Sequence, residues 1–236
     1  MTVFENKLLF IGDSLTQCGY DVTLRGWAAQ ISNHFSRQYE VISRGYSGYN
    51  TRWIQPIIDN IIKSDISSDS EKVQLVTIWF GSNDASEERS PHHIPIEEYK
   101  NNYVKIIKKL KQIPRSSELP LLLVTPPASH GKIWEKYCLE VDGLDNENRD
   151  SEDIARYAEV VRQLGAEYNI PVLDLWIEGG IVPDVEDQFV DGLHFSAKGN
   201  DIVAKLLIEK LENVYEHLAL NREKWSYPHY SEHFGK

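Results

Sequence analysis

Leu8-Leu9-Phe10-Ile11-Gly12-Asp13-Ser14-Leu15-Thr16 sets an apolar run directly against a glycine, an aspartate and a serine. Four consecutive apolar residues suit a strand covered on both faces. The polar residues that follow read as a strand-to-helix turn. Further apolar runs lie at 40–43, 73–81, 121–125 and 172–175, giving five strand candidates. Between them the apolar period lengthens to that of a helix. Trp27, Ile31 and Phe35 recur every fourth residue, as do Tyr99, Tyr103 and Ile107, with Ile106 and Leu110 on the same face. Ile154, Tyr157, Ala158 and Val161 form another stripe, and Val203, Leu207, Leu211 and Val214 the last. Trp53, Ile54, Ile57, Ile58, Ile61 and Ile62 make one more, where Pro56 fits only near the helix start. Strands alternating with helices predict an α/β fold, a three-layer αβα sandwich around a five-stranded parallel sheet.

Such a sheet places its site beyond the carboxyl ends of the strands. The chemistry-bearing residues follow that rule. Ser14 comes just after the first run, Gly48 after the second and Asn83, in Gly81-Ser82-Asn83-Asp84, after the third. Near the other end, Asp191-Gly192-Leu193-His194-Phe195 precedes the last helix, with Ser196 as its expected N-cap. Serine is a weak nucleophile unless a base takes its proton, and histidine is that base when an acceptor orients it. A three-residue spacing lets a short turn bring Asp191 to one ring nitrogen of His194 while the other faces Ser14. Asn83 offers an amide donor, Gly48 an unobstructed backbone N–H and Ser14 its own N–H, together a three-donor oxyanion hole. Taken singly, each has a plainer reading: Ser14 as a helix cap, Asp191-Gly192 as a turn, Gly48 and Asn83 as turn residues. Gly45 competes with Gly48 for the donor role. Asp13 and Asp84 read as orienting neighbours.

Composition narrows the partners. A net charge of −11 over 236 residues argues against nucleic acid and anionic membrane. No apolar stretch reaches the roughly 18 residues that span a bilayer. The first apolar run is short, lacks a basic n-region and leads into Ser14, so it is not read as a signal peptide. Two cysteines, Cys18 and Cys138, make no disulfide framework and fit a reducing cytoplasm; Cys18 is expected as a small packed apolar group. His92, His93, His130, His229 and His233 are scattered; His229 and His233 alone are four apart, with no cysteine or further histidine near them in sequence, so neither metal nor cofactor is expected. With no linker or repeat, 1–236 reads as one domain. Residues 64–72 read as a solvated loop and 129–153 as a long irregular wall of the pocket. The aromatic tail over 221–236, with Trp225, Tyr227, Tyr230 and Phe234, is expected to pack on the domain or on a second subunit of a homodimer.

The four blocks, in this order, resemble the GDSL/SGNH hydrolase superfamily, named for the residues matched here by Ser14, Gly48, Asn83 and His194. Gly45-Tyr46-Ser47-Gly48-Tyr49-Asn50-Thr51-Arg52-Trp53, Phe80-Gly81-Ser82-Asn83-Asp84-Ala85, Ile94-Pro95-Ile96-Glu97-Glu98-Tyr99 and Thr125-Pro126-Pro127 are similar to the isoamyl-acetate-hydrolysing esterase branch. Trp134, the 191–199 block and Trp225 extend that similarity over nearly the whole chain; 86–93 and 136–153 depart from it. The resemblance implies a flavodoxin-like strand order, 2-1-3-4-5, and hydrolysis of small short-acyl esters, acetate esters among them, through an acyl-enzyme. The alternative on the same machinery is a carbohydrate acetylesterase or lysolipid esterase. Trp53 and Trp134 are candidate walls for the alcohol side, whereas Trp79 reads as core.

Overall fold

The computed structural model describes residues 6–67, 69–142, 149, 151–176, 181–182, 185–221, 223 and 225. Strand β1 (Lys7–Gly12) runs between β2 (Glu40–Gly45) and β3 (Val73–Trp79), followed outward by β4 (Leu121–Val124) and β5 (Val172–Leu173). Every neighbouring pair is parallel, in the order β2-β1-β3-β4-β5. Alternation along the strands divides the core in two. Leu9, Ile11, Val76, Ile78, Leu121 and Leu123 point to one face, under α3 (Gln55–Ile61), α4 (Ile96–Lys111) and α6 (Ser151–Tyr168). Leu8, Phe10, Leu75, Trp79, Leu122, Val124 and Leu173 point to the other, under α2 (Trp27–His34) and α7 (Ala197–Val214). Burying one such side chain contributes about 1.5–3 kcal/mol, against an ordering cost of about 1–2 kcal/mol for each residue's backbone. A sheet with one bare face would not close that gap. The chain therefore folds as the three-layer α/β sandwich the periodicity predicts.

Four expectations change. Strand β2 is not buried on both faces: Glu40 is exposed and the rest half-buried, because it forms the edge of the sheet. Residues 64–72 are not a plain loop, since α3 continues as a π-turn over Ile62–Ile66 and a 3-10 turn spans Ser70–Lys72. Nor is 129–153 irregular throughout. Helix α5 (Gly131–Tyr137) runs into a π-turn, Cys138–Asp142, and α6 begins at Ser151. Trp134 and Cys138, four apart, bury one side of that segment. Val214 falls off its stripe and is exposed at the end of α7. Trp225 packs on the domain, its ring under the Arg37 guanidinium at 4.2 Å; Tyr227, Tyr230 and Phe234 lie outside the described residues.

Candidate active site

Ser14 is the first residue of α1 (Ser14–Gln17), a single turn that continues as a 3-10 turn over Cys18–Tyr20. The cap of this turn is Asp13. Its Oδ1 accepts from the Leu15 N–H at 2.9 Å, and its carbonyl from Thr16 and Gln17 at 3.2 and 3.0 Å. The Ser14 hydroxyl is thus released from capping. One turn aligns few peptide dipoles, so the field at Ser14 comes from local N–H groups rather than a full helix macrodipole. The turn lies hard across the end of β2, where a Cβ on Gly45 would come 2.1 Å from the Gln17 nitrogen. Gly45 is a close-approach glycine.

At the other end of the chain, Asp191 turns back on itself. Its Oδ1 accepts from the N–H groups of Leu193 and His194 at 2.9 and 2.7 Å. Its Oδ2 meets His194 Nδ1 at 2.6 Å, and His194 Nε2 meets Ser14 Oγ at 2.8 Å. A carboxylate only accepts, so Nδ1 donates and Nε2 is left to accept from the serine hydroxyl. Gly192 adopts φ +93°, and a Cβ there would collide with the Trp134 nitrogen at 2.5 Å. The Asp-Gly turn is packed against the start of α5, where the His130 N–H donates to the Gly192 carbonyl at 2.7 Å. Desolvation works against the Asp191 carboxylate, but the His194 hydrogen bond and charge and the two backbone N–H groups hold it below its ordinary range. Ser196 caps α7 as expected, accepting from Gly199.

The loops after β2 and β3 are tied to each other. Gly48 adopts φ +77°, and a Cβ there would meet only His92 Cε1, at an ordinary 3.6 Å, so the backbone conformation, not crowding, calls for glycine. His92 Nδ1 lies 3.0 Å from the Gly48 carbonyl. Asn83 donates from Nδ2 to the Tyr49 carbonyl at 2.8 Å. Asp84 Oδ1 accepts from the Thr51 N–H and hydroxyl at 2.9 and 2.5 Å. From below, the Tyr99 and Tyr103 hydroxyls donate to the Phe80 carbonyl at 3.0 and 3.1 Å. Ser14, the Gly48 turn and the Asn83 turn therefore stand on one edge of the sheet, at the carboxyl ends of β1, β2 and β3.

Comparison with known proteins gives the family. The sequence model of the GDSL-like lipase/acylhydrolase family matches residues 10–202. The chain belongs to that family. The human isoamyl acetate-hydrolyzing esterase 1 homolog is 34% identical over 221 residues, covering 93% of this chain and 86% of that protein. The isoamyl acetate-hydrolyzing esterase of Saccharomyces cerevisiae is 28% identical, covering 89% and 87% of the two chains. Among solved structures, a lipase/acylhydrolase from Enterococcus faecalis superposes with a TM-score of 0.64 at 23% identity, over 89% of this chain and 96% of the other. The native aryl esterase of M. smegmatis superposes with a TM-score of 0.67 at 18% identity, over 88% and 99%. The structural likenesses bear on the fold alone; the family membership makes this chain a carboxylic ester hydrolase.

Two buried acids back the site of this GDSL-like hydrolase. Burial raises Asp13 from 3.8 to about 6, against its Leu15 hydrogen bond and the charges of His194 and Arg149. Burial raises Asp84 to about 7, against its bonds to Thr51 and with a contribution from the Asp13 charge. Each leaves Oδ2 without a partner among the described residues. Both acids keep in the fold a proton that the unfolded chain releases near pH 4. Their stabilisation is complete below that pH and is lost as pH climbs through about 6 and 7. Urea unfolding should therefore show stability falling between pH 5 and 8. Asp84→Asn keeps the Oδ1 acceptor without the charge, so it should flatten the fall and exceed wild type at pH 8 by about 2–4 kcal/mol. Equal slopes in the two proteins would contradict the assignment; general repulsion in an acidic chain acts on both alike.

The expected walls are placed as follows. Trp134 is buried, with its ring 6.2 Å from that of His194. Trp53 is 37% exposed and meets Tyr49 and His92 edge-on at 6.3 and 5.4 Å, on the Gly48 side. Trp79 is core, between Trp27 and Phe195. Cys18 corrects its expectation: it is exposed, because the 3-10 turn after α1 leaves it on a cavity beside His194. Desolvation and the carboxylates of Asp21, Asp191 and Asp13 raise its thiol, which disfavours the reactive thiolate. That cavity, about 210 Å³, is lined by Leu15, Leu24, Val190 and Phe195 together with Cys18, Asp191, His194 and Asn200. The sequence reading missed His92, Thr51 and Arg149. Arg149 lies in a charged stretch with no periodicity, and only the folded chain shows where its guanidinium goes.

Proposed function

We propose that this enzyme hydrolyses small esters of short-chain acids through an acyl-enzyme on Ser14. His194 takes the serine proton as Oγ attacks the ester carbonyl, and Asp191 orients and balances the imidazolium. The N–H groups of Ser14 and Gly48 and the Asn83 side-chain amide receive the oxyanion. Collapse of the tetrahedral adduct breaks the C–O bond, and His194 returns the proton to the departing alcohol. Water then repeats the cycle on the acyl-enzyme. The observation that carries this reading is the unbroken run of hydrogen bonds from Ser14 Oγ through His194 to Asp191, at 2.8 and 2.6 Å. Trp53 and Trp134 flank the site as walls for the alcohol.

The short-acyl preference rests on residues 85–96 and 128–153, which carry charge, histidine and proline rather than the leucine and phenylalanine of a continuous apolar groove. A long chain would forfeit about 0.8 kcal/mol for each CH₂ left in water. The kcat/KM for p-nitrophenyl esters should therefore peak between about two and six acyl carbons, with isoamyl acetate also hydrolysed. A maximum at ten carbons or more would sink the short-acyl reading while leaving the Ser14 chemistry standing.

A further inference from the structure

We infer that Arg149 is a positioning residue that locks the Asn83 amide with its N–H groups directed to the oxyanion. The inference rests on the oxyanion role proposed for Asn83 and extends it to a residue outside the four sequence blocks. A carboxamide can turn over by half a rotation at little cost, exchanging donor for acceptor. At Asn83 both ends are specified. Arg149 Nη2, which can only donate, meets Oδ1 at 3.1 Å. The Tyr49 carbonyl, which can only accept, takes one Nδ2 hydrogen at 2.8 Å. The flipped amide would face donor with donor and acceptor with acceptor. One orientation survives, and it leaves the second Nδ2 hydrogen for a developing negative charge.

The guanidinium is built in for this task. Arg149 is 3% exposed, which rules out recognition of an acidic substrate from solvent. Its Nη1 donates to the Ser82 carbonyl, so one planar fork grips two consecutive residues of the loop after β3. Its Cζ lies over the Trp134 ring at 4.8 Å, and Trp134 in turn packs beside His194. Lysine has no fork of this kind and is a poor substitute. A cation hydrogen-bonded to Oδ1 also draws electron density from the amide, which strengthens the remaining N–H as a donor. That gain matters most in the transition state, where the oxyanion is fully charged.

The test is a double-mutant cycle on p-nitrophenyl acetate hydrolysis, with Arg149→Met, Asn83→Ala and the pair. Asn83→Ala should lower kcat by about 10²–10³-fold. Arg149→Met should lower kcat by about 10–100-fold in wild type with KM within threefold, and by less than about threefold when Asn83 is already alanine. The inhibition constant of phenylboronic acid, whose serine adduct places an oxygen where the oxyanion forms, should rise in step with the loss in kcat/KM. Arg149→Lys should fall between Arg149→Met and wild type, and it serves in the same cycle should Arg149→Met not fold. An equal kcat loss from the Arg149 change with and without Asn83 would overturn the inference, leaving Arg149 a structural residue. An unchanged kcat in Asn83→Ala would overturn the oxyanion reading itself and the inference with it.

Discussion

Ser14→Ala should lower kcat by about 10⁴–10⁶-fold, the range expected when the nucleophile of such a constellation is removed. The argument is positional. Ser14 Oγ is the hydroxyl that His194 Nε2 meets at 2.8 Å, and no route to an acyl-enzyme remains without it. The fold should survive, because the cap of α1 is Asp13 and the Ser14 side chain reaches toward His194 rather than into the core. Loss of one oxygen at a nearly buried site should move stability by no more than about 1–2 kcal/mol. The measurements are steady-state turnover, labelling by a fluorophosphonate and a thermal melt on the same sample. Labelling should vanish while the melt stays cooperative. A folded Ser14→Ala protein that keeps more than a hundredth of the wild-type kcat would remove Ser14 from the mechanism.

Much of this site is legible before any coordinates are known, for a physical reason. In a parallel sheet every strand ends on the same edge, so a polar residue immediately after an apolar run is placed in space by the run itself. Ser14 follows that rule directly at β1, and Gly48 and Asn83 stand in the short turns that open from the ends of β2 and β3. Asp191 and His194 are legible differently, since a carboxylate three residues before a histidine closes a ring through one turn, and φ +93° at Gly192 explains the glycine between them. Arg149 obeys neither rule. It follows no strand and lies on no stripe, and its function resides in a hydrogen bond to a residue 66 positions away. The Asp84–Thr51 pair is hidden for the same reason: each residue looks like an ordinary turn former until two loops meet. Cys18 shows the reverse error. A cysteine after a buried turn reads as packing, yet the 3-10 geometry of that turn leaves it exposed on the cavity. Helix α5 is hidden by polar and glycine residues at its start, and the apolar contact of Trp134 with Leu193 forms only across to the Asp191 loop.

Asp191→Asn should lower kcat by about 10³–10⁴-fold with KM little changed. The direction follows from which oxygen does what. Oδ1 accepts two backbone N–H groups, from Leu193 and His194, and in asparagine only the amide oxygen can keep those bonds. The amide nitrogen is therefore turned to His194 Nδ1, where wild type has Oδ2 at 2.6 Å. Two donors cannot face each other, so Nδ1 must give up its hydrogen and Nε2 must carry it. An imidazole protonated at Nε2 cannot accept from Ser14 Oγ. The substitution thus holds the base in the wrong tautomer instead of merely removing a charge. Asp191→Ala, which leaves the ring free to adopt either tautomer, should be no worse than Asp191→Asn despite deleting the whole side chain. Fluorophosphonate labelling should slow in both variants, because the same proton transfer limits it. A kcat for Asp191→Asn within tenfold of wild type would show that His194 draws its orientation from elsewhere. Retained labelling at the wild-type rate, with turnover lost, would move the defect to deacylation and contradict a single base serving both steps.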